Sequence, residues 1–452
     1  MPNFVPSALA TWSDGRWEGH VPVTVAGFGN DTRQLGAGEA FVALRTPRRD
    51  GHDFLGDARA RGASCAVVSR RVADPLPQLV VDDTLAGLQR IAAAWRQTLR
   101  MPVVGVTGSV GKTSAKEMLR AALRPRVHAT HANLNNTLGV PLTLLRADPA
   151  LHDAAVVEVG MSEPGELRAS ARVLAPDVAV VTRVSAAHLA GVGTLAAIAR
   201  EKSELVRALS PAGEAFLHAA TLAHGAFADL LPVCVALCGE EESAPVGVRR
   251  IARMRLDAAD GGWLLQLVDP ELGQLGLDLG PISRGQADNA ALAALAALRA
   301  GAKPDRVRTA LASWRPLAGR GSVHLVGGRP LYVDCYNASP ASLADAADAF
   351  VRQTRGPRLF VIGGMAELGV ESERIHREAG RLLPLGPGDS VIGFGGDARA
   401  LAQACGGRSL DDIVAVADAI ARHSGPVLIK GSRSHALERA LPSPLRETLD
   451  FH

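Results

Sequence analysis

Residues 102–114 read PVVGVTGSVGKTS, an apolar run that breaks at a glycine and ends in Lys112-Thr113-Ser114. The general phosphate-loop pattern G-x-x-x-x-G-K-[ST] asks for glycine where Val106 stands, so the match is one residue short. The chemistry is nevertheless present. Gly108 and Gly111 let successive backbone N–H groups turn toward an anion, and a following helix adds its positive end. Lys112 can meet the outer phosphates and the Thr113 hydroxyl can hold Mg²⁺. Gly108, Ser109, Val110, Gly111, Lys112, Thr113 and Ser114 are therefore the expected nucleotide contacts. The competing reading is a chance glycine-rich loop in a chain with 47 glycines.

Outward from this loop the pattern is strand, loop, helix, repeated: a helix over 114–124, then AAVVEVG at 154–160, VAVVTRV at 178–184 and AFLHAA near 215. Such alternation argues for a parallel sheet with helices on both faces. Residues 245–280 alternate over short runs such as GGWLLQLV and suggest an antiparallel excursion, followed by a buried Ala/Leu helix over 289–302. Before the loop, VPVTVAGF, AFVALR and CAVVSR read as short strands of a small α/β unit, with GHDFLGDARARG as a helix closed by Gly62. Leu85, Leu88, Ile91, Trp95 and Leu99 then recur at helical spacing behind the caps Asp82 and Asp83. After about 320, apolar strands at 331–335, 358–362, 389–393 and 426–430 end in glycine-containing turns, the form of a second doubly wound domain. The expected fold is α/β in three domains: 1–98 a small N-terminal domain, 99–318 a central P-loop-type parallel-sheet domain, and 319–452 a C-terminal Rossmann-like domain.

Composition narrows the partners. With 49 basic against 46 acidic residues, well mixed, and no basic block interleaved with aromatics, nucleic acid is not an expected partner. No run reaches the ~18 apolar residues of a membrane span, and the first residues lack a signal peptide's basic and apolar regions, so a cytoplasmic protein is expected. Five cysteines, scattered and without C-x-x-C spacing, indicate reduced thiols.

Lysine occurs only at 112, 116, 202, 303 and 430, against 44 arginines. Where charge alone is wanted this chain writes Arg, so a retained Lys points to a need for a primary amine or a compact ammonium. Glu158, in VVEVGM, ends an apolar strand, where an unpaired buried charge costs several kcal/mol, and so asks for a cation. A satisfied structural carboxylate is the alternative. His188, in RVSAAHLAGVG, is a weaker candidate by itself, and Lys202, in AREKSEL, stands among arginines.

Taken in order, TGSVGKTS, HANLNNTLGVP (131–141), VVEVGMSEPGEL (157–167), SAAHLAGVG (185–193), AREKSEL (199–205), AGRG (318–321), VDCYNASPASL (333–343), GGMAELG (363–369) and IKGSRS (429–434) resemble the Mur ligases of peptidoglycan synthesis. DTRQLGAGEAFVALRTPRRDGHDF at 31–54 resembles their N-terminal domain. The YNASP and MAELG segments are similar to those of the branch that joins D-alanyl-D-alanine to UDP-N-acetylmuramoyl-tripeptide. That resemblance implies ATP as cosubstrate, an acyl-phosphate intermediate, two Mg²⁺ ions and a carbamylated lysine at Lys202. It also implies that Val106 is normal, since the family writes TGxxGKT. By motif match, Lys112, Lys202, His188 and Asn136 are implied catalytic residues. Thr113 and Glu158 are implied ligands of one ion, His188 and carbamylated Lys202 of the other. Asn289, Arg320, Asp334, Tyr336 and Asn337 are implied around the nucleotide, and Thr32 and Arg33 near the UDP-sugar end. A monomer is expected. Gly285-Gln286 stand where the family usually has His-Asn, and Gly364 where Asp is common. Two other readings fit parts of the chain: a sibling ligase adding a different residue, and a nucleotide-gated binding protein, which gives no use to Lys202, Asp334 or Tyr336.

Overall fold

In the computed structural model, which describes residues 2–185, 189–259 and 262–449, the strands gather into three main sheets that follow one another along the chain. The first has five short strands, in the order Arg16–Glu18, Gln78–Val80, Cys65–Val68, Ala40–Val42, Phe28–Gly29. Of the run VPVTVAGF only its last residue, Phe28, joins the sheet, in the two-residue strand Phe28–Gly29. Pro22 lacks an N–H for a ladder, Val23 is 94% exposed, and only Val25 is buried, bridged to Phe4. The helix Thr84–Thr98 is capped by Asp83, whose side chain accepts from the Ala86 N–H at 2.8 Å, and buries Leu88 and Ile91. Arg96 ties its far end to the central sheet's unit, donating to the Leu174 and Ala175 carbonyls and pairing with Asp177 at 2.9 Å.

The central sheet has nine strands. Its middle strand, Val103–Thr107, lies between Ala154–Glu158 and Val178–Val181, all three parallel and buried along their length. Burial on both faces is what their unbroken apolar sequence requires. Because the chain passes from one side of the middle strand to the other, its carboxyl end is a switch point, where open α/β sheets bind ligands. The strand Cys234–Cys238, unexpected from sequence, carries the sheet on to the antiparallel set Arg250–Ala259, Gly262–Asp269 and Gly273–Leu279. The long buried helix starts at Arg284, five residues before Asn289, because Ser283 and Gln286 close a capping box around its first turn.

The third sheet has six strands, in the order Ser322–Val326, Arg329–Asp334, Val427–Lys430, Leu359–Gly363, Ser390–Phe394, Arg408–Leu410; all but the first are parallel. The five cysteines are free thiols. Burial pushes Cys335 up to about 12, so it behaves as a small apolar residue.

One buried histidine gives the central unit an acid-sensitive point. His128 lies on the edge strand Val127–Ala129, its Nε2 at 2.8 Å from the Thr143 carbonyl and its ring 5.0 Å from that of His152. Burial drives its pKa down to about 4; the nearby His152 and Arg146 act in the same direction, and the Thr143 contact opposes them. The folded state thus binds this proton less readily than the unfolded chain. Stability is full above the ordinary imidazole range near 6.5 and drains as pH falls toward 4, by about 3 kcal/mol over that window. Melting temperatures from pH 7.5 to 4.5 should fall less steeply in His128→Gln than in the wild type.

Candidate active site

The carboxyl ends of Val103–Thr107, Ala154–Glu158 and Val178–Val181 open onto a cavity of about 370 Å³. One wall is the loop 109–114 with the start of the Arg284 helix; the other comes from the third sheet's unit, with Arg320, Asp334, Tyr336, Asn337, Asp345 and Lys430.

The loop's glycines are fixed by space. Gly108 has φ +149°, and a Cβ there would stand 2.0 Å from Thr182 Oγ1; Gly111 has φ +85°, and a Cβ would stand 2.2 Å from Asn289 Nδ2. Val106 is a fully buried strand residue paired with Glu158 and Val180, so the strand runs on through Thr107 and the turn begins only at Gly108. A glycine at 106 would weaken the strand and serve no turn. The helix starts at Lys112, not 114, which places Lys112 and Thr113 in its first turn. Lys112 Nζ folds back on the Gly108 carbonyl at 2.9 Å. Burial holds its pKa below the usual lysine range; Glu158 and Glu367 oppose that shift, while Arg320 adds to it.

Glu158 is 2% exposed. It accepts from Thr113 Oγ1 at 2.9 Å and from Asn135 Nδ2 at 2.8 Å. Thr113 and Glu158 are therefore in contact, as expected of two oxygen donors to one ion. Asn135, in contrast, was not singled out by sequence, because the run HANLNN offers three asparagines with nothing local to rank them. Asn136, the one expected near the reaction, turns its Oδ1 to the Leu138 and Gly139 N–H groups and starts the helix Gly139–Leu145. Removing a group that orients a metal ligand costs about 10–100-fold. Asn135→Ala is accordingly expected to lower turnover by about that factor and to raise the Mg²⁺ concentration needed for half-maximal rate, read from rates titrated with Mg²⁺.

Lys202 lies in the helix Leu195–Arg207 with 0% exposure, and its Nζ is buried without a hydrogen-bond partner. Burial, then the positive charge of Lys112, drives its pKa well below the usual range. His188 lies outside the described residues. Among the described residues no three His, Cys, Asp or Glu side chains gather around one point.

From the other side, Arg320 stacks on Tyr336, its Cζ 3.7 Å from the ring centroid. Gln286 Nε2 donates to the Arg320 carbonyl at 2.9 Å, and Asp345 Oδ1 accepts from the Gly285 N–H at 2.8 Å. A Cβ at Gly285 would meet Asp345 Oδ2 at 2.8 Å, so the departure Gly285-Gln286 makes room for this contact between units. Arg352 over the Trp263 ring, at 4.2 Å, and the Ala190 N–H on the Glu367 carbonyl, at 3.0 Å, join them further. Asp345 and Lys430 had no local sequence signal, since their partners are 60 and 96 residues away. Thr32 and Arg33 are not brought to this cavity: its described lining lies wholly beyond residue 108, and Arg33 pairs with Asp31 at 2.6 Å on the surface of the first unit.

A phosphate loop at a sheet's switch point, faced by a second doubly wound unit, defines a nucleotide site shared between two lobes. Residues 106–297 match the Mur ligase middle domain, and 319–433 the Mur ligase glutamate ligase domain. The chain belongs to the Mur ligase family. It is 34% identical to the UDP-N-acetylmuramoyl-tripeptide–D-alanyl-D-alanine ligase of Escherichia coli K12, over 98% of both chains. It is 30% identical to the Bacillus subtilis enzyme of that name, over 87% of this chain and 85% of the other. Among solved structures, MurF from Acinetobacter baumannii superposes with a TM-score of 0.87 at 27% identity, covering 99% of this chain and 100% of that one. MurF ligase from Thermotoga maritima, in complex with ADP, gives 0.79 at 26% identity, covering 93% and 97%. Among the described residues no helix is long and apolar enough to cross a membrane.

Proposed function

We propose that this chain is an ATP-dependent amide ligase that joins D-alanyl-D-alanine to UDP-N-acetylmuramoyl-tripeptide in peptidoglycan precursor synthesis. The observation that carries this reading is its end-to-end likeness to the E. coli ligase, 34% identical over 98% of both chains. The γ-phosphoryl of ATP passes to the tripeptide's terminal carboxylate, giving an acyl phosphate and ADP. The dipeptide amine attacks the acyl carbon, the amide bond forms, and phosphate leaves with the C–O bonding pair. Little covalent work falls to the protein, which positions the reactants and stabilises charge.

In this reading the N–H groups of 108–114 and the Lys112 ammonium bind the phosphates, and Asn289, Arg320, Asp334, Tyr336 and Asn337 surround the nucleoside. Thr113 and Glu158 fit one Mg²⁺, being oxygen donors already in contact and buried at the phosphate end. A second Mg²⁺ calls on His188 and on Lys202 after its amine takes up CO₂, releasing one proton and leaving a carbamate. The buried, unpartnered Nζ suits that addition, since a neutral amine is the form that reacts. Bound Mg²⁺ supplies neutralisation of phosphate charge. Asn136 acts indirectly, by setting the turn that carries Asn135. Thr32 and Arg33 bind the UDP-sugar end in the first unit. The three domains are 1–98, 99–318 and 319–452, and the enzyme works as a cytoplasmic monomer.

The test is phosphate release from ATP. Release that needs both UDP-N-acetylmuramoyl-tripeptide and D-alanyl-D-alanine supports the assignment; release indifferent to either leaves a nucleotide hydrolase. Replacing D-alanyl-D-alanine by other amino acids separates this ligase from its siblings.

A further inference from the structure

The mechanism above leaves one buried cation without a task. Lys430 ends the strand Val427–Lys430 in the middle of the third sheet, beside Asp334 in register, and is 1% exposed. Its Nζ stands 2.6 Å from the Asn337 carbonyl, 3.0 Å from Asp334 Oδ2 and 3.4 Å from the Asp334 carbonyl. It lines the cavity. The segment it holds, Asp334-Cys335-Tyr336-Asn337, is the wall expected to meet the nucleoside. The Tyr336 N–H donates to the Gly319 carbonyl at 3.1 Å, and its ring carries Arg320, so whatever fixes this turn also fixes Arg320.

We propose that Lys430 is a positioning residue for the nucleotide: its ammonium pins both ends of the 334–337 turn, so that Asp334 can present a carboxylate to the ribose hydroxyls. This rests on Asp334 being a nucleotide contact, as proposed above. Three oxygen acceptors converge on a single nitrogen, which suits a compact ammonium with three N–H donors. A planar guanidinium is longer and spreads its donors, and no water is at hand in a fully buried site to take up the excess. That is a physical reason for a lysine here in a chain that otherwise writes 44 arginines. Pairing with Asp334 also offsets a carboxylate that would otherwise repel the phosphates.

The test compares ATP with 2′,3′-dideoxy-ATP in the complete ligation reaction, for wild type, Lys430→Met, Lys430→Arg and Asp334→Asn, with melting temperatures for each. Losing a charge-assisted contact that orders a ligand group is expected to raise the KM for ATP about tenfold in both Lys430 variants. The KM for D-alanyl-D-alanine should stay within about twofold, since that substrate does not use this wall. The preference for ATP over the dideoxy analogue should collapse to the level of Asp334→Asn. A preference in Lys430→Met equal to wild type, or KM values that rise together for all substrates, overturns the proposal. Wild type without any preference overturns instead the contact between Asp334 and ribose, and Lys430 is then judged by the KM split alone. If Lys430→Met does not fold, Lys430→Gln makes the same comparison.

Discussion

Lys202→Ala is expected to lose ligation by about a thousandfold, the scale on which one preorganised charge-stabilising group acts, and to regain about tenfold when formate or acetate is added. The reason lies in what surrounds the side chain. A fully buried ammonium with no hydrogen-bond partner is a costly group, and its burial next to Lys112 keeps the amine neutral. Structural lysines in this chain are treated differently: Lys116, also buried, donates to the Thr130 carbonyl at 2.9 Å and pairs with Glu117 at 2.7 Å. As a carbamate, Lys202 becomes an anion beside the Lys112 ammonium, and the unfavourable pairing turns favourable. Truncation to Ala leaves space that a small carboxylate can occupy. Lys202→Met fills that space with an apolar chain of similar length, so it should be equally inactive and not rescued. Wild type depleted of CO₂ should slow and recover on adding bicarbonate. Equal activity in Lys202→Met and wild type, or rescue of both variants alike, defeats the carbamate.

Sequence and structure agree most closely where function is written into neighbouring residues. The loop 107–114, the acidic end of Ala154–Glu158 and the buried lysine of Leu195–Arg207 are each legible because a residue type conflicts with its local pattern: glycines in a strand's continuation, a charge on an apolar strand, a Lys among arginines. Parallel strands were readable from unbroken apolar runs, and the outer strands from alternation. The failures share a physical cause. Asn135, Asp345 and Lys430 take their roles from partners brought near only by the fold, and each looks locally like an ordinary polar residue. VPVTVAGF alternates like a strand, but alternation cannot say whether a neighbouring strand is present to pair with it. The start of the long helix was set by a side chain, Ser283, reaching Gln286, a signal that the Ala/Leu run beyond it conceals.

Gly111→Ala is expected to abolish ATP-dependent ligation, to below about a thousandth of wild type, while the protein remains folded. Two effects combine at this position. At φ +85° an L-residue meets a backbone cost of about 1–2 kcal/mol. In addition, the new Cβ would lie 2.2 Å from Asn289 Nδ2, with the other two amide atoms at 3.1 and 3.2 Å, so the clash is with the whole amide. Asn289 is 8% exposed on a buried helix and has little room to retreat, so the loop must move instead. Such a shift turns N–H groups away from the phosphates and carries Lys112 and Thr113 with it, since both begin the helix that follows Gly111. Gly273→Ala separates the two effects. Gly273 has nearly the same φ, +84°, with nothing within 4 Å of a new Cβ, and it starts an outer strand remote from the cavity. It should lower the melting temperature by a few degrees for about 1–2 kcal/mol of strain and leave turnover intact. If Gly111→Ala resembles Gly273→Ala, with full activity and a modest loss of stability, the loop is not the phosphate site. Loss of activity with a similarly modest fall in melting temperature places the anion at Gly111 through shape alone, without removing a single charge.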